Sequence, residues 1–253
     1  MMNCSELKDL IIQVEETDST NNLLSRQCQT KKMPEFTTIW AENQTYGKGQ
    51  RGNTWESESG KNLTFSTVLY PTHINARNQF ILSMLVSLAI HDVLSSYTDG
   101  ISIKWPNDIY WKDKKICGIL IENELQGSEI AQSIIGIGLN VNQIKFRSLA
   151  PNPISLRQIT AQEHDRERLL QQILNTIYLY YEEIKSNQEK TFEQFHQRYM
   201  NNLYGKEKTT LFYDANGIFR ARIVGTETDG HLLLEDEAGA IRRYAFKEVQ
   251  YIH

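Results

Sequence analysis

The pattern of the chain changes near Asn202, and this change restricts the folds that the sequence can adopt. Before it, segments with the helical apolar period alternate with short strand-like segments, which is typical of a mixed α/β (α+β) domain. After Gly205, short apolar segments are separated by glycine-containing turns, which predicts a small antiparallel barrel. We therefore predict a main domain over residues 1–202 and an SH3-like β-barrel over residues 203–253. The predicted barrel strands are Thr209–Phe212, Phe219–Val224, Leu232–Glu235 and Ile241–Ala245.

The main domain shows alternating strand and helix patterns. Thr17 to Thr20 offers side chains that cap a helix running through Leu24. Phe80 to Leu94 has apolar residues at helical spacing, which predicts a core-facing amphipathic helix. Residues 110–125 contain two apolar runs around a polar turn, which predicts a hairpin. Further strands are predicted at Leu10–Val14, Thr37–Ala41, Leu63–Leu69, Ile101–Trp105 and Ile134–Val141, and further helices over residues 164–186 and 191–202.

The charges of the chain exclude some classes of function. Its 253 residues include 27 lysines and arginines against 31 aspartates and glutamates, and neither predicted domain is strongly charged. This argues against a nucleic-acid-binding protein, which needs a concentrated basic surface. The polar start does not resemble a signal peptide, and the apolar stretches are shorter than a membrane span. The three cysteines lack metal-ligand spacing, so we expect a reduced, soluble, cytoplasmic protein that binds neither nucleic acid nor membrane.

Residues 42–62 contain four glycines and almost no aliphatic side chains, which predicts a long loop. The segment 47–52 matches the dinucleotide-binding G-x-G-x-x-G pattern, but the helix that should follow it and the acidic residue expected about twenty positions later are missing. A mobile polar surface loop is one interpretation. The other is an anion-binding loop that closes over a ligand, because glycines let a ligand approach the backbone and Trp55 needs a packing partner.

Two lysines stand where a predicted buried strand meets a turn. Lys104 ends an apolar strand, and a partly buried lysine there needs a carboxylate or a ligand anion. Lys115 directly precedes the apolar run Ile116–Ile121, although a solvated turn lysine is the commoner interpretation. In the strand that follows, Gly136 and Gly138 permit either close strand packing or the approach of a ligand.

Taken together, these segments resemble the biotin protein ligase family. The resemblance extends over about residues 15–142, with five motifs in family order. It implies a catalytic α/β domain with a mixed sheet and an SH3-like C-terminal domain, in a short form without the helix-turn-helix domain of the repressor members. The matching motifs are Ser19-Thr20-Asn21, Gln44 with Gly47-x-Gly49-x-x-Gly52-x-x-Trp55, Lys104-Trp105-Pro106-Asn107-Asp108, Lys115-x-x-Gly118-Ile119-Leu120-x-Glu122 and Gly136-x-Gly138-x-Asn140.

The resemblance implies an ATP-dependent biotin–[biotin carboxyl-carrier protein] ligase. Such an enzyme joins the biotin carboxylate to the α-phosphorus of ATP, releases pyrophosphate, and transfers biotin from biotinyl-5′-AMP to a lysine of a carboxylase's carrier domain. ATP is then a substrate accompanied by Mg²⁺, for which no protein ligands are assigned. The partners implied are biotin, ATP and the carrier domain, and a homodimer is compatible with the sequence.

The resemblance also implies a role for each motif residue. Biotin is expected to contact Ser19, Thr20, Asn21, Gln44, Lys48, Gly49, Gln50 and Lys115. The nucleotide is expected to contact Lys48, Arg51, Trp55, Asn107, Lys115 and Asn140. Catalysis is assigned to Lys115, Lys104, Arg51 and Asp108. Cations that meet from separate segments stabilise the charge that grows at phosphorus.

The glycine loop departs from the family pattern at Lys48 and Gln50, where arginine is frequent. Lysine keeps the charge without the bidentate fork, whereas Gln50 removes the charge and leaves neighbouring Arg51 as the alternative phosphate contact. Two other function classes stay open from the sequence. One is a lipoate protein ligase, which shares the fold and the adenylation chemistry, and the other is a non-catalytic regulator or adaptor that uses the barrel to bind a partner.

Overall fold

The computed structural model describes residues 4–49, 52–147, 152–206 and 208–252, which form a seven-stranded mixed sheet followed by a five-stranded antiparallel sheet. The first sheet and its helices comprise α1 (Cys4–Asp9), β1 (Ile11–Thr17), α2 (Thr20–Thr30), β2 (Thr38–Gln44), β3 (Leu63–Leu69), a short 3-10 helix (Ala76–Asn78), α3 (Phe80–Ser95), β4 (Ile101–Lys104), β5 (Asp108–Trp111), β6 (Lys114–Gln126), β7 (Glu129–Leu139), α4 (Leu156–Thr160), α5 (Arg166–Ser186) and α6 (Gln188–Asn201). The second sheet contains β8 (Thr210–Asp214), β9 (Gly217–Thr226), β10 (Leu232–Asp236), β11 (Ile241–Tyr244) and β12 (Gln250–Ile252).

The first sheet has the strand order β1-β2-β3-β7-β6-β5-β4, and its β1–β2 pair is parallel while the other pairs are antiparallel. This confirms the predicted mixed-sheet α/β domain. The antiparallel β5–β6 pair confirms the predicted hairpin, with Lys112 in its turn at a positive φ of 51°. Pairing of β6 with β7 places Gly118 opposite Gly138 and Leu120 opposite Gly136. The motif glycines therefore meet on neighbouring strands in the middle of the sheet.

Helices cover both faces of the first sheet, which explains why every residue of β3 is buried. Helix α2 lies on one face, where Leu24 packs with Ile39 and Val68. Helix α3 lies against the other face and contacts α5 and α6 on its outer side. The sequence predicts an amphipathic α3, but the helix is buried around nearly its whole circumference because α5 and α6 cover it.

The burial of α3 also corrects an expectation about membranes. The helical stretch Ala76–Ser95 is long and apolar enough to cross a membrane by length and composition, contrary to the expectation that all apolar stretches are too short. However, 72% of its apolar window is buried inside the fold. A helix that is apolar all round is either a membrane span or the core helix of a larger domain, and the packing of α3 fits the second case.

The predicted C-terminal β-domain is confirmed as a five-stranded antiparallel sheet in the order β11-β10-β9-β8-β12. Phe212, Ile223 and Leu234 are buried in its core. Strand β12 was not predicted, because three residues are too few to show an alternating pattern. It pairs with β8 and so brings Tyr251 beside Phe212, with 5.0 Å between the ring centroids.

The barrel contacts the main domain beside the turn between β4 and β5. Trp105 Nε1 donates a hydrogen bond to Gly230 O at 2.8 Å, and the Trp105 ring lies 5.8 Å from that of Phe246. Gly230, at a φ of +95°, lies against Phe80, where a Cβ atom would approach the ring to 2.7 Å. The segment 202–204 runs beside β4. The predicted domain division lies in this segment and stays a prediction.

Candidate active site

A pocket of about 570 Å³ lies beside the N-terminus of α2 on the first sheet. Side chains reach it from α2, the loop after β2, the β4–β5 turn, the central parts of β6 and β7, and the β11–β12 connection of the barrel. The structure therefore brings together motifs that are far apart in the sequence. The predicted site residues that line the pocket are Ser19, Thr20, Asn21, Gln44, Lys48, Gly49, Trp55, Lys104, Asn107, Asp108 and Lys115.

Three glycines of β6 and β7 form the floor of the pocket. A Cβ atom on Gly136 would lie 2.2 Å from Asn21 Oδ1, which is far inside contact distance. A Cβ atom on Gly138 or Gly118 would lie 2.5 or 2.9 Å from the indole of Trp55. The glycines thus let the side chains of α2 and the loop approach the sheet backbone. The sequence allowed close strand packing or the approach of a ligand, and neither describes what is seen: side chains of this chain, Asn21 and Trp55, occupy the space over the glycines and themselves line the pocket.

A network of mostly neutral polar groups, connected to the carboxylate of Glu122, stands at the α2 end of the pocket. The backbone N–H of Thr20 donates to Gln44 Oε1 at 2.8 Å. Ser66 Oγ donates to Asn21 Oδ1 and lies 2.7 Å from Thr20 Oγ1, while Asn21 Nδ2 donates to Glu122 Oε2 at 2.7 Å. Thr20 and Asn21 are both at least 96% buried. The buried groups hold each other in fixed orientations, which suits a site that recognises a polar, uncharged ring.

Ser66 is a site-associated residue that the sequence prediction missed. It lies in β3, whose residues are all buried, and its hydroxyl bonds directly to the predicted residues Thr20 and Asn21. The only sequence signal is a serine in a strand that alternates hydroxyl and apolar residues. That signal becomes informative once the face toward α2 is known, because neighbouring residues of a strand point to opposite faces.

Lys115 and Asp108 form an ion pair in the pocket. Lys115 Nζ donates to Asp108 Oδ2 at 2.6 Å, and the two side chains are 22% and 29% exposed. The backbone of Lys115 is held by bonds to Asn152 and Ile154, so that its position does not depend on the ion pair. The solvated turn lysine, which the sequence alone favoured, does not fit this geometry.

Lys104 also lines the pocket, among aromatic rings. Its Nζ donates to the hydroxyl of Tyr110 at 3.4 Å. Burial lowers the pKa of Lys104 from 10.5 to about 8, the charge of Asp108 opposes that shift, and the charge of Lys115 adds to it. A lysine with a lowered pKa in a cleft is typical of a functional site.

Lys48 connects the glycine loop to α2. Its Nζ donates to Asn22 Oδ1, and Asn22 Nδ2 donates to Asp18 Oδ2 at 2.7 Å. The guanidinium of Arg26 bonds the same carboxylate and holds the pKa of Asp18 well below its usual range. Lys48 is therefore directed by a chain of hydrogen bonds on α2, a contact that the motif pattern did not show.

Of the residues predicted to contact biotin or ATP, Asn140 does not line the pocket, and Gln50 and Arg51 are not described by the structure. Asn140 was assigned to the nucleotide, but the structure does not place it on the pocket: it is 2% exposed, and its Nδ2 donates to Ile154 O at 3.1 Å. It ties the segment before α4 to the end of β7, and its backbone N–H donates to Ile116 O on the strand of Lys115 at 2.9 Å. Gln50 and Arg51 lie outside the described residues, so their assigned contacts stay predictions.

The barrel contributes two pocket residues that the sequence did not predict. Phe246 and Lys247 reach the pocket from the β11–β12 connection, where Lys247 has a positive φ of 73°. No local pattern signals this, because it depends on how the barrel docks on the β4–β5 turn. The site is thus built by both sheets.

The loop after β2 begins three residues later than predicted, and both of its ends are bound to neighbouring elements. Residues 42–44 extend β2, and Glu42 accepts a hydrogen bond from Arg166 at 2.9 Å. Near the other end, Glu58 N donates to Gln143 Oε1 at 2.9 Å. Between these anchors, Trp55 N donates to Gly47 O at 2.9 Å and Gly49 N donates to Asn53 O at 2.7 Å.

We expect trypsin to cleave the free protein after Lys48 and Arg51 but not after Lys61, which lies in the anchored end of the loop. Biotin and ATP together should protect the two loop sites, because ligand binding stabilises the closed segment by mass action. At ligand concentrations of about 100 times the dissociation constant, cleavage should slow by up to about a hundredfold. Mass spectrometry of the fragments measures this, with Lys61 as the internal control. Equal cleavage with and without ligands would contradict a closing loop.

The match to a protein family covers the pocket residues of the first sheet, but not Phe246 and Lys247 of the barrel. The model of the biotin/lipoate A/B protein ligase family matches residues 14–140, from β1 to the end of β7. This is about half of the chain. The chain therefore belongs to the biotin/lipoate A/B protein ligase family.

Individual relatives extend the similarity over both sheets. The bifunctional ligase/repressor BirA of Bacillus spizizenii is 28% identical over 232 residues, covering 90% of this chain and 70% of that protein. The biotin–[acetyl-CoA-carboxylase] ligase of Mycobacterium tuberculosis is 28% identical over 171 residues, covering 65% of this chain and 61% of that protein. A solved structure of the biotin protein ligase from Aquifex aeolicus in complex with biotin and ATP superposes with a TM-score of 0.77 at 27% identity, covering 96% of this chain and 99% of that one.

Proposed function

We propose that this protein is a biotin–protein ligase, which adenylates biotin with ATP and then transfers it to a lysine of a biotin carboxyl carrier domain. The observation that supports this most strongly is a single pocket that combines a neutral hydrogen-bonding network with lysine ammonium groups. The ureido ring of biotin presents neutral donors and acceptors, while its carboxylate requires cations. Relatives that cover most of the chain are named as ligases of this kind.

In the first half-reaction, a carboxylate oxygen of biotin attacks the α-phosphorus of ATP. A new phosphorus–oxygen bond forms, and the bond to the leaving pyrophosphate breaks. Because both reactants are anionic, catalysis must lower their repulsion and stabilise the charge at phosphorus. Lys115, oriented by Asp108 at 2.6 Å, would bridge the carboxylate and the α-phosphate, and Lys48 would approach from the loop.

In the second half-reaction, the ε-amine of the carrier lysine attacks the carbonyl carbon of biotinyl-5′-AMP. An amide bond forms, the bond between the carbonyl carbon and the phosphate oxygen of AMP breaks so that AMP leaves, and the proton released by the amine passes to solvent. Asp108 is the only carboxylate among the described residues that line the pocket, so it is the group that would accept a hydrogen bond from the amine. Trp55, whose indole lies over Gly118 and Gly138, would contact the adenine.

Mg²⁺ would enter with the phosphates of ATP rather than occupy a site built by the protein. A protein cage for Mg²⁺ needs several oxygen ligands, but the one carboxylate found on the described pocket lining is paired with Lys115. A carboxylate–histidine cluster on the barrel, Glu227 with Asp229 and His231, is bound by Arg243 instead. The few oxygen ligands at the pocket therefore fit a Mg²⁺ ion that is held mainly by the nucleotide.

Biotin-dependent exchange of pyrophosphate into ATP tests the proposal. The purified protein should catalyse exchange with biotin and not with lipoic acid. The dithiolane ring of lipoic acid offers no strong donors or acceptors, so it cannot form the hydrogen bonds that the ureido ring would make with Thr20, Asn21 and Gln44, each worth roughly 1 kcal/mol. Exchange with lipoic acid alone would favour a lipoate ligase, and exchange with neither acid would favour a regulator or adaptor.

The adenylation rate is expected to fall as the pH rises through about 8, because the lowered pKa of Lys104 makes it neutral above that value. Replacing Lys104 by arginine, which stays charged, should remove this fall. Pyrophosphate exchange measured from about pH 6.5 to about pH 9.5 for both proteins checks this, since that range spans the lowered pKa of Lys104 of about 8. Identical pH profiles of the two proteins would show that the charge of Lys104 is not needed.

We also propose a homodimer formed along an open edge of β6. Strand β5 pairs only with the start of β6, at Lys114 to Cys117, and within the described parts of the chain no strand pairs with residues 118–126 on that side. Leu125 on this segment is 52% exposed. A second copy would complete the sheet there. Analytical ultracentrifugation tests this, and a species that stays monomeric at high concentration would contradict it.

We also propose that the protein is located in the cytoplasm, as the sequence indicates. Cys28 and Cys117 are free thiols, which agrees with a reducing compartment. Fractionation of cells that express a tagged chain checks the location directly.

A further inference from the structure

Three tyrosine rings surround the ammonium group of Lys104. Its Nζ lies 4.8 Å from the ring centroid of Tyr110, 5.7 Å from that of Tyr204 and 4.6 Å from that of Tyr251. Tyr110 belongs to β5 beside the pocket, whereas Tyr204 follows α6 and Tyr251 lies in β12, the last strand of the barrel. We call these three rings the tyrosine enclosure. Lys104, which was predicted to be catalytic, is therefore in contact with side chains of the C-terminal region.

The rings of the enclosure are held by contacts that do not involve Lys104. Tyr204 donates through its hydroxyl to Asp113 at 2.8 Å and through its backbone N–H to Ile103 O at 2.8 Å. Its ring lies 5.4 Å from Tyr110 and 6.2 Å from Tyr251. The enclosure is thus a preformed surface on which Lys104 is placed.

An aromatic face attracts an ammonium group within about 6 Å of its centroid, and the attraction increases when water is excluded. Burial disfavours the charged form of Lys104, so the three ring faces offset part of that effect. The enclosure also separates the roles of two lysines. Lys104 stands directly opposite Asp108 in the β4–β5 register, yet Asp108 Oδ2 accepts its 2.6 Å hydrogen bond from Lys115.

We propose that Tyr251 and Tyr204 are positioning residues for adenylation, which hold the Lys104 ammonium against the pocket and leave Asp108 to orient Lys115. The barrel takes part in the chemistry through these rings. This inference rests on the proposed ligase function, because it assigns to Lys104 a reaction that it assists. It extends that function by connecting the last strand of the chain to the reacting groups.

The test is a series of substitutions at Tyr251 that changes ring electronics and keeps ring shape. Phenylalanine and its mono-, di- and trifluorinated forms are introduced by nonsense suppression, and biotin-dependent pyrophosphate exchange is measured. Tyr251→Phe should keep kcat within about twofold, whereas each added fluorine should lower it, to about a tenfold loss for the trifluorinated ring. The KM for biotin should stay constant, because the neutral network binds the ureido ring. A flat series, or a full loss already in Tyr251→Phe, would overturn the proposal.

Repeating the series in a protein that lacks the Lys104 ammonium shows whether Tyr251 acts through Lys104. In a Lys104→Met protein, the same fluorinated series should have no further effect on kcat. A persisting dependence on fluorination there would overturn the proposal, since the ring would then act without the ammonium. The matched control is the same series at Tyr213, which lies on the neighbouring strand β8 and is 50% exposed. It should leave kcat unchanged.

The enclosure and the ligase function are distinguishable by a titration that needs no turnover. With labelled lysine, NMR follows the pKa of Lys104 through the Tyr251 series. Each fluorine should lower this pKa further, because the charged form loses attraction to the ring. The other groups that face Lys104, which are Asp108, Lys115, Tyr110 and Tyr204, are unchanged in the series. If the wild-type protein shows no pyrophosphate exchange, the ligase function fails and the titration still decides the enclosure. An unchanged pKa across the series would overturn it.

Discussion

Replacing Lys115 by alanine is expected to lower the rate of biotin adenylation by about a hundredfold to a thousandfold, the effect of deleting one preorganised charge donor. Its side chain is mostly buried and its ammonium is held at 2.6 Å from Asp108, so it is already placed before the substrates bind. The substitution removes the cation that would stand between two anionic reactants. It also leaves the Asp108 carboxylate without this partner, which adds to the unfavourable potential for ATP.

The fold should survive this substitution, because the backbone bonds of Lys115 to Asn152 and Ile154 do not involve its side chain. Lys114→Ala is the matched control, since Lys114 is the exposed neighbour on the same strand. Pyrophosphate exchange and circular dichroism are measured on both variants. A folded Lys115→Ala protein with wild-type exchange would remove Lys115 from the reaction.

Replacing Gly136 by alanine is expected to weaken biotin binding by about a hundredfold, which corresponds to losing two to three hydrogen bonds of roughly 1 kcal/mol each. The new methyl group would lie 2.2 Å from Asn21 Oδ1 and would displace that side chain. Asn21 would then lose its bonds to Ser66 and Glu122, and the network beside Thr20 would be disrupted. Isothermal titration calorimetry with biotin measures the change.

Gly225→Ala is the matched control for this prediction. Gly225 also lies in a strand at a negative φ, and a Cβ atom there would meet Met200 only at 3.5 Å. Its replacement should leave biotin binding unchanged. If Gly136→Ala bound biotin as tightly as the wild type, the network around Asn21 would not be the biotin site.

Local sequence patterns predicted many elements of the main domain, because apolar residues recur at one spacing in strands and at another in helices. Strand β3 and helix α3 were both predicted at nearly the observed residues. What the patterns did not predict is how fully α3 is buried, because α5 and α6 cover it from more than seventy residues further along the chain.

The candidate site was predictable only where a motif keeps its residues together. Lys104 and Asp108 were predicted because they belong to one turn, whereas Ser66 was missed because its role depends on which face of the sheet α2 covers. Tyr251 and Lys247 gave no sequence signal at all. Their contribution arises from the docking of the barrel, and docking is a property of two surfaces rather than of one segment.

The central claim is tested most directly by the covalent product. The protein is incubated with ATP, Mg²⁺, an equimolar mixture of biotin and lipoic acid, and a purified biotin carboxyl carrier domain, and the carrier is then analysed by mass spectrometry. The account predicts the gain of one biotinyl group on one lysine, and no gain when ATP is omitted. A carrier whose mass does not change, or one that gains a lipoyl group instead, would contradict it.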